Sequence, residues 1–340
     1  MGVKRPARIG IAGATGAVGL EMLSVLEERP GLAASVRAMA SGRSEDRTVR
    51  YGGRELPVVE LTAENLDGLD LVLFATGASV AREFVPQAVE RGAVVVDNSR
   101  AFRMEPGVPL VVPEVNPEAA SIHDGIIANP NCSTIQMVLI LKPILEEAGI
   151  VRVVASTYQS VSGTGLRAID ELREQTEAVL AGEPAVSEVY PTQIAFNCIP
   201  HIDDFDEAGN TREETKMVLE TRKILGLPEL PVAVTCVRVP VLRSHALALN
   251  VQTERPLAPE RARDALRSFP GVEVVDEAES LLYPTQVDAE GRDATLVGRV
   301  RADESVPNGL WFWVVSDNLR KGAALNAVQI AELLADGLPD

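Results

Sequence analysis

Cys132 is the residue of this chain best placed for covalent chemistry. It stands in Asn129-Pro130-Asn131-Cys132-Ser133-Thr134-Ile135, directly ahead of an apolar run to about residue 148 that reads as a helix. A cysteine at a helix N-terminus meets a partial positive charge and unpaired backbone N–H groups, and both favour the thiolate. Lowering a cysteine pKa by about one to two units raises its thiolate fraction roughly tenfold at neutral pH. The chemistry implied is attack on a carbonyl carbon, which calls for a group that handles protons. The chain has only three histidines. His123, in Ser-Ile-His-Asp-Gly, reads as an exposed turn residue. His201, before Ile-Asp, and His245, between two strand-like runs, are equal candidates. Cys198 and Cys236 sit in apolar, strand-like surroundings and read as small buried hydrophobes.

The second chemical signal is the turn Gly10-Ile-Ala-Gly13-Ala-Thr-Gly16-Ala-Val-Gly19. It lies between a short strand and a helix, where glycines let the backbone approach a pyrophosphate and the helix N-terminus supplies free N–H groups. That context points to a dinucleotide. At the end of the next strand an Asp or Glu would select the 2′-hydroxyl of NAD. The residues there are instead Ala40-Ser41-Gly42-Arg43-Ser44, and a cation with hydroxyls favours the 2′-phosphate of NADP.

The first hundred residues supply the positioning elements. Continuous apolar runs at 8–12, 36–40, 71–75 and 93–97 alternate with helical spacing at 18–28 and 80–91. This is the pattern of a parallel sheet covered on both faces. After about residue 150 strands often follow one another (151–161, 232–241, 246–253, 295–301, 310–316). Helices are expected at 166–181, 211–225 and 259–269, the last with proline at its start. A closing helix is expected over 321–335, and 182–191 and 203–210 read as exposed polar segments. The fold expected is α/β, a Rossmann-type parallel-sheet domain plus a second α+β domain with a mixed or antiparallel sheet. The first domain is drawn as 1–130 plus 319–340, the second as 131–318.

Composition narrows the functional classes. The 340 residues carry 32 Lys plus Arg and 49 Asp plus Glu, a net charge of −17, with no basic run to track a phosphate backbone. Nucleic acid is therefore disfavoured as a partner. No apolar stretch reaches the ~18–20 residues of a membrane span. Three scattered cysteines make neither a disulfide framework nor a metal cluster. A reduced, cytoplasmic protein without a metal is expected.

Strings spread from residue 10 to the C-terminus resemble the aspartate-semialdehyde dehydrogenase family: GATGAVG, VDNSRAFRM, VPEVN, ANPNCSTIQ, STYQSVSGTG, EETK with ETRKI, TCVRVPVLRSH and DNLRKGAALNAVQIAE. The likeness is to the bacterial branch with Asn-Cys-Ser-Thr around the cysteine. It implies reversible, NADP-dependent reductive dephosphorylation of 4-phospho-L-aspartate to aspartate 4-semialdehyde and phosphate, on the route to lysine, threonine and methionine. By that resemblance Cys132 is the nucleophile that carries an acyl thioester, and His245 is the general acid/base, which separates it from His201. Gln159 orients the substrate and Asn131 helps hold the reacting carbonyl. Arg238 binds the α-carboxylate, Arg103 and Lys216 the phosphate, and Glu213, or its neighbour Glu214, the α-amino group.

NADP contacts are implied for Thr15, Gly16, Ala17 and Val18 beside Gly13, for Arg43 and Ser44 beside Ser41, and for Ser162, Gly163 and Asn318. The family forms homodimers or homotetramers through the second domain. Two departures touch the histidine's surroundings: Ala246 stands where a polar residue is usual, and His201 where glutamine is common. N-acetyl-γ-glutamyl-phosphate reductase shares the logic on an acylated substrate, and Glu213 argues against it. A non-catalytic nucleotide-binding protein is the reading from another class, and Cys132 together with His245 argues against that.

Overall fold

The computed structural model describes residues 6–42 and 47–334. The chain forms two compact units, one up to Asn131 and again from Gly322, the other spanning Cys132–Lys321.

The first unit opens with β1 (Ala7–Ala12), α1 (Ala17–Glu27) and β2 (Ala33–Ala40). The hairpin β3 (Thr48–Tyr51) and β4 (Arg54–Glu60) follows, then β5 (Leu71–Phe74), α2 (Ala78–Glu90), β6 (Val94–Asp97) and β7 (Ile126–Ala128). The sheet order is β3-β4-β2-β1-β5-β6-β7, parallel throughout except for the hairpin. Strand residues alternate between two cores. Ile9, Ile11, Leu71 and Leu73 pack with Met22, Leu23 and Leu26 of α1, while Val72, Phe74 and Val95 pack with Ala81, Val85 and Ala88 of α2. Burial on both faces explains why these strands are apolar at nearly every position, the exceptions being exposed Arg8 in β1 and Asp97 at the end of β6. The hairpin, which the sequence reading did not anticipate, turns on Gly52 and Gly53 at φ +59° and +71°. Two positive φ angles make the tight connection that matches strand twist.

The second unit begins with α3 (Cys132–Ala148), β8 (Arg152–Gln159), α4 (Leu166–Leu180) and α5 (Arg212–Leu225). It continues with β9 (Val232–Arg238), β10 (His245–Gln252), α6 (Pro259–Ser268), β11 (Val272–Val274), α7 (Gln286–Ala289), β12 (Thr295–Asp303) and β13 (Gly309–Ser316). Its mixed sheet has the order β11-β12-β13-β10-β8-β9. Helices α3, α5 and α6 bury one face around Met137, Met217, Leu247, Leu249, Leu266 and Phe312. A π-helical turn over Arg320–Ala324 carries the chain back to the first unit and into α8 (Leu325–Leu334), packed on the α1 side.

Several expectations shift. The strand expected over 151–161 stops at Gln159 and gives way to a 3-10 turn over Val161–Thr164, and the one over 232–241 stops at Arg238, ahead of Pro240. The short strands β7 and β11 were not anticipated, because three residues are too few to show a period. Cys198 is exposed, not a buried hydrophobe: it lies in an irregular segment outside any strand, beside exposed Phe196 and Asn197. His123 is half-buried instead of exposed, with Nδ1 accepting from the Gly125 N–H at 3.0 Å.

Candidate active site

Three neighbouring strands of the second unit reach the same level at one end of the sheet. Gln159, the last residue of β8, pairs in register with Arg238, the last of β9, and with His245, the first of β10. Paired positions share a face of the sheet, so the three side chains lie side by side. All three are buried. The Gln159 Nε2 donates to Ser133 Oγ at 2.7 Å and to Glu213 Oε1 at 3.0 Å. The first bond ties the row to the start of α3, beside Cys132, which is half-buried.

His245 is held by its Nδ1, which accepts the Ser160 N–H at 3.0 Å, with Ser160 Oγ at 3.1 Å. An accepting Nδ1 puts the single proton of the neutral ring on Nε2. That Nε2 is buried without a hydrogen-bond partner. Gly163 shows where it faces: a Cβ there would lie 3.2 Å from both His245 Nε2 and Arg238 Nη1. The missing side chain leaves a cradle shared by an imidazole donor and a guanidinium.

Burial, then the positive charge of Arg238, pushes the His245 pKa down to about 3, against the opposing pull of Glu213 and of the Ser244 backbone. The unfolded chain takes up this proton near the ordinary 6.5, whereas the folded one does not until about 3. Within that window the unfolded state binds the extra proton, so stability is lost as pH falls, by about 1.4 kcal/mol per unit. Denaturant titrations at neutral pH and at about pH 5 are expected to show the native chain losing about 2 kcal/mol more than His245→Ala. Equal losses would contradict a neutral buried imidazole.

Arg238 donates through Nη1 to the Ser160 carbonyl at 2.6 Å, and its Nε is buried without a partner. The Tyr190 ring lies 6.0 Å from its guanidinium carbon. Tyr190 is carried by a loop that α4 fastens, since buried Glu171 accepts the backbone N–H groups of Glu188, Val189 and Tyr190. Nearby, Lys216 donates to Glu213 at 2.7 Å and to Asp203 at 3.1 Å. Burial works against the Lys216 ammonium, yet the two carboxylates more than offset it and hold its pKa above the ordinary range. Glu214 is occupied elsewhere, taking the Thr211 N–H in a capping box and the Cys236 N–H. Of the two neighbours, Glu213 therefore faces Gln159.

The first unit carries its own set. Gly13 has φ +88°, and a Cβ there would lie 2.5 Å from the Ala75 carbonyl oxygen, so only glycine fits. A Cβ at Gly19 would collide with the Gly13 carbonyl. Helix α1 starts after Gly16 with no side-chain cap, which leaves its first N–H groups for an anion. Thr15, Gly16, Ala17 and Val18 are half-buried along this turn, and Ser41 is exposed at the end of β2. These residues fit a dinucleotide. Arg43 and Ser44 lie outside the described residues. Arg103 is buried and donates to the Asn98 carbonyl at 2.7 Å. Asn98, Asn129 and Asn326 form a chain of side-chain amides at the carboxyl ends of the strands. Asn131, which closes the first of this unit's two stretches of chain, is buried.

In the second unit, then, the structure brings together Gln159, Gly163, Glu213, Lys216, Arg238 and His245. Ser162 and Asn318 join them, with Asn318 Oδ1 accepting from Ser162 Oγ at 3.0 Å and Ser160 Oγ at 3.3 Å. His201 stacks instead on Phe205, ring centres 4.6 Å apart. Sequence reasoning missed Ser160, Tyr190 and Glu171. Ser160 lies within the STYQSVSGTG string and could have been suspected; nothing local marks the other two. Among the described residues no cluster of three metal-ligating side chains occurs, and no helix is long and apolar enough to cross a membrane.

Comparison with known proteins gives the class first. A family model described as "Semialdehyde dehydrogenase, NAD binding domain" matches residues 8–123, and one described as "Semialdehyde dehydrogenase, dimerisation domain" matches 141–321. An aspartate-semialdehyde dehydrogenase of Aquifex aeolicus is 51% identical over 331 residues, covering 96% of this chain and 97% of the relative. The crystal structure of aspartate semialdehyde dehydrogenase II complexed with ASA from Vibrio cholerae has a TM-score of 0.95 and 48% identity, covering 98% of this chain and 99% of that one. The Candida albicans aspartate semialdehyde dehydrogenase with NADP gives 0.75 and 26%, covering 96% and 98%. The chain belongs to the aspartate-semialdehyde dehydrogenase family.

Proposed function

We infer that the chain catalyses the reversible, NADP-dependent reductive dephosphorylation of 4-phospho-L-aspartate to L-aspartate 4-semialdehyde and phosphate, through an acyl thioester on Cys132. The observation that carries the site reading is the row Arg238–Gln159–His245, tied by Gln159 to the residue after Cys132. The first unit is the NADP-binding domain in this reading, and the second holds catalysis and dimerisation. Gly13, Thr15, Gly16, Ala17, Val18, Ser41, Arg43, Ser44, Ser162, Gly163 and Asn318 serve the cofactor.

The Cys132 thiolate, beside the N–H groups that open α3, attacks the acyl phosphate carbon. Asn131 and those N–H groups stabilise the tetrahedral oxyanion. The C–O bond breaks and phosphate leaves with the electron pair toward Arg103 and Lys216, taking a proton from water. NADPH, when bound, would supply the hydride that reduces the thioester carbon to the thiohemiacetal level. His245 works from its Nε2–H, donating to the oxygen that bears the developing charge, as a neutral imidazole can. The C–S bond then breaks, returning the thiolate and releasing the aldehyde. Throughout, Gln159 orients the substrate, Glu213 meets its ammonium and Arg238 grips its α-carboxylate, with Nε and the Gly163 cradle open to it.

Arg238→Lys keeps the charge and loses the planar fork. Its KM for the semialdehyde is expected to rise about tenfold or more, with a smaller fall in kcat. Unchanged steady-state constants would move the carboxylate elsewhere.

A homodimer, or a tetramer containing it, is supported by the second sheet face, where Tyr158, Trp311 and Trp313 remain partly exposed. A cytoplasmic setting suits a thiol nucleophile, and the described cysteines are all free. The deciding experiment follows NADPH formation from aspartate semialdehyde plus phosphate, with NAD and the N-acetylglutamate semialdehyde as parallel arms. Phosphate-dependent turnover of the aspartyl substrate with NADP is expected; turnover only of the acetylated one would overturn the assignment.

A further inference from the structure

His245 leaves the chain from an unusual backbone. Ser244, just before it, is fully buried and has φ +72°, the left-handed region that a residue with a side chain rarely adopts. Such a conformation persists only where the surroundings over-determine it. Here the peptide groups on either side of Ser244 are both held. Its N–H donates to Asn318 Oδ1 at 2.9 Å, and its carbonyl accepts from Gln286 Nε2 at 2.7 Å. The second hydrogen of the same Gln286 amide goes to the Tyr158 carbonyl at 3.1 Å, the residue before Gln159. One side chain thus bridges the backbone on which Gln159 and His245 are mounted.

We propose that Gln286 is a positioning residue for His245, pinning Ser244 in the left-handed conformation that aims the imidazole Nε2 at the Gly163 cradle. Gln286 spends its amide on two carbonyls outside its own four-residue helix, which a residue serving that helix alone would not do. The segment that delivers it is anchored at both ends. The Pro284 carbonyl accepts from Trp313 Nε1 at 3.0 Å, and the Gly291 N–H donates to Asp317 Oδ2 at 2.7 Å. Asp317 directly precedes Asn318, so the two amides that clamp Ser244 are referenced to one stretch of chain. Loss of the Gln286 bond leaves the strained peptide free to relax, and the ring rotates away from the reacting oxygen while Arg238 and Glu213 still hold substrate.

The proposal rests on His245 acting in the reaction, and a double-mutant cycle separates the two claims. Gln286→Met keeps the length and removes the donor. It is expected to lower kcat about tenfold, with KM for aspartate semialdehyde within about twofold. Gln286→Glu, which sets a carboxylate against two carbonyls, should lower kcat further. Adding Ser244→Gly to Gln286→Met should restore part of kcat, since glycine enters the left-handed region without cost. In a His245→Ala background, Gln286→Met should cause no further loss. An unchanged kcat in Gln286→Met overturns the proposal. So does a joint change in kcat, KM and melting temperature that Ser244→Gly does not relieve, or the same loss with and without the histidine. Full activity of His245→Ala itself would instead remove the reading on which the proposal stands.

Discussion

A Cys132→Ser variant is expected to lose at least about 10⁴-fold in turnover in both directions while still binding NADPH, measured by steady-state kinetics and cofactor fluorescence titration. The substitution removes one sulfur and almost no volume. A serine hydroxyl stays protonated at neutral pH, and the opening turn of α3, whose partial charge is worth about 0.3–1 kcal/mol, cannot ionise it. The other two cysteines offer no rescue. Cys236 is buried in β9, where burial and the nearby Glu213 charge push its thiol pKa up, and its Sγ rests 3.7 Å from Met217 Sδ. Cys198 lies on an exposed loop. Residual activity within about tenfold of the native chain would mean that no covalent step passes through residue 132.

The second large effect belongs to His245. Replacing it with alanine is expected to lower kcat about 10²–10³-fold, with a much smaller change in KM for the semialdehyde. The asymmetry follows from what each side chain can touch. In the proposed reading substrate charge is met by Arg238, Glu213 and Lys216, whereas the His245 Nε2 is buried without a hydrogen-bond partner and is left for the oxygen that gains charge during reaction. A rise in KM with kcat preserved would make the imidazole a binding group and would leave the thiohemiacetal oxygen without its donor.

These effects trace back unequally to the sequence. The turn from Gly10 to Gly19 is legible because its steric demands are local: Gly13 needs a positive φ, and Gly19 has no room for a side chain. The cysteine is legible for a similar reason, since an apolar helix starting at Cys132 declares itself by composition. Strands buried on both faces announce themselves by nearly unbroken hydrophobicity, which is why β1, β5 and β6 were anticipated nearly to the residue. The second unit is harder. That Arg238, Gln159 and His245 share one level is a fact of strand register between segments far apart in sequence, and the motif resemblance supplied the roles without the row. The choice between His201 and His245 was open on residues alone, because an imidazole stacked on Phe205 and one facing a cradle look alike in a string. Ser160, Tyr190 and Gln286 stayed hidden for a related reason. Each acts through a main-chain group or an aromatic face that another segment brings to it, and neither leaves a periodic trace.

The central claim is that the acyl group is carried on one sulfur. Rapid quench of the enzyme with aspartyl phosphate in the absence of NADPH, followed by peptide mass spectrometry, reads this directly. A single aspartoyl group is expected on the peptide containing Cys132, formed together with one equivalent of phosphate and discharged as semialdehyde when NADPH is added. An unmodified Cys132 peptide alongside normal catalytic turnover, or acylation at a different residue, would contradict it.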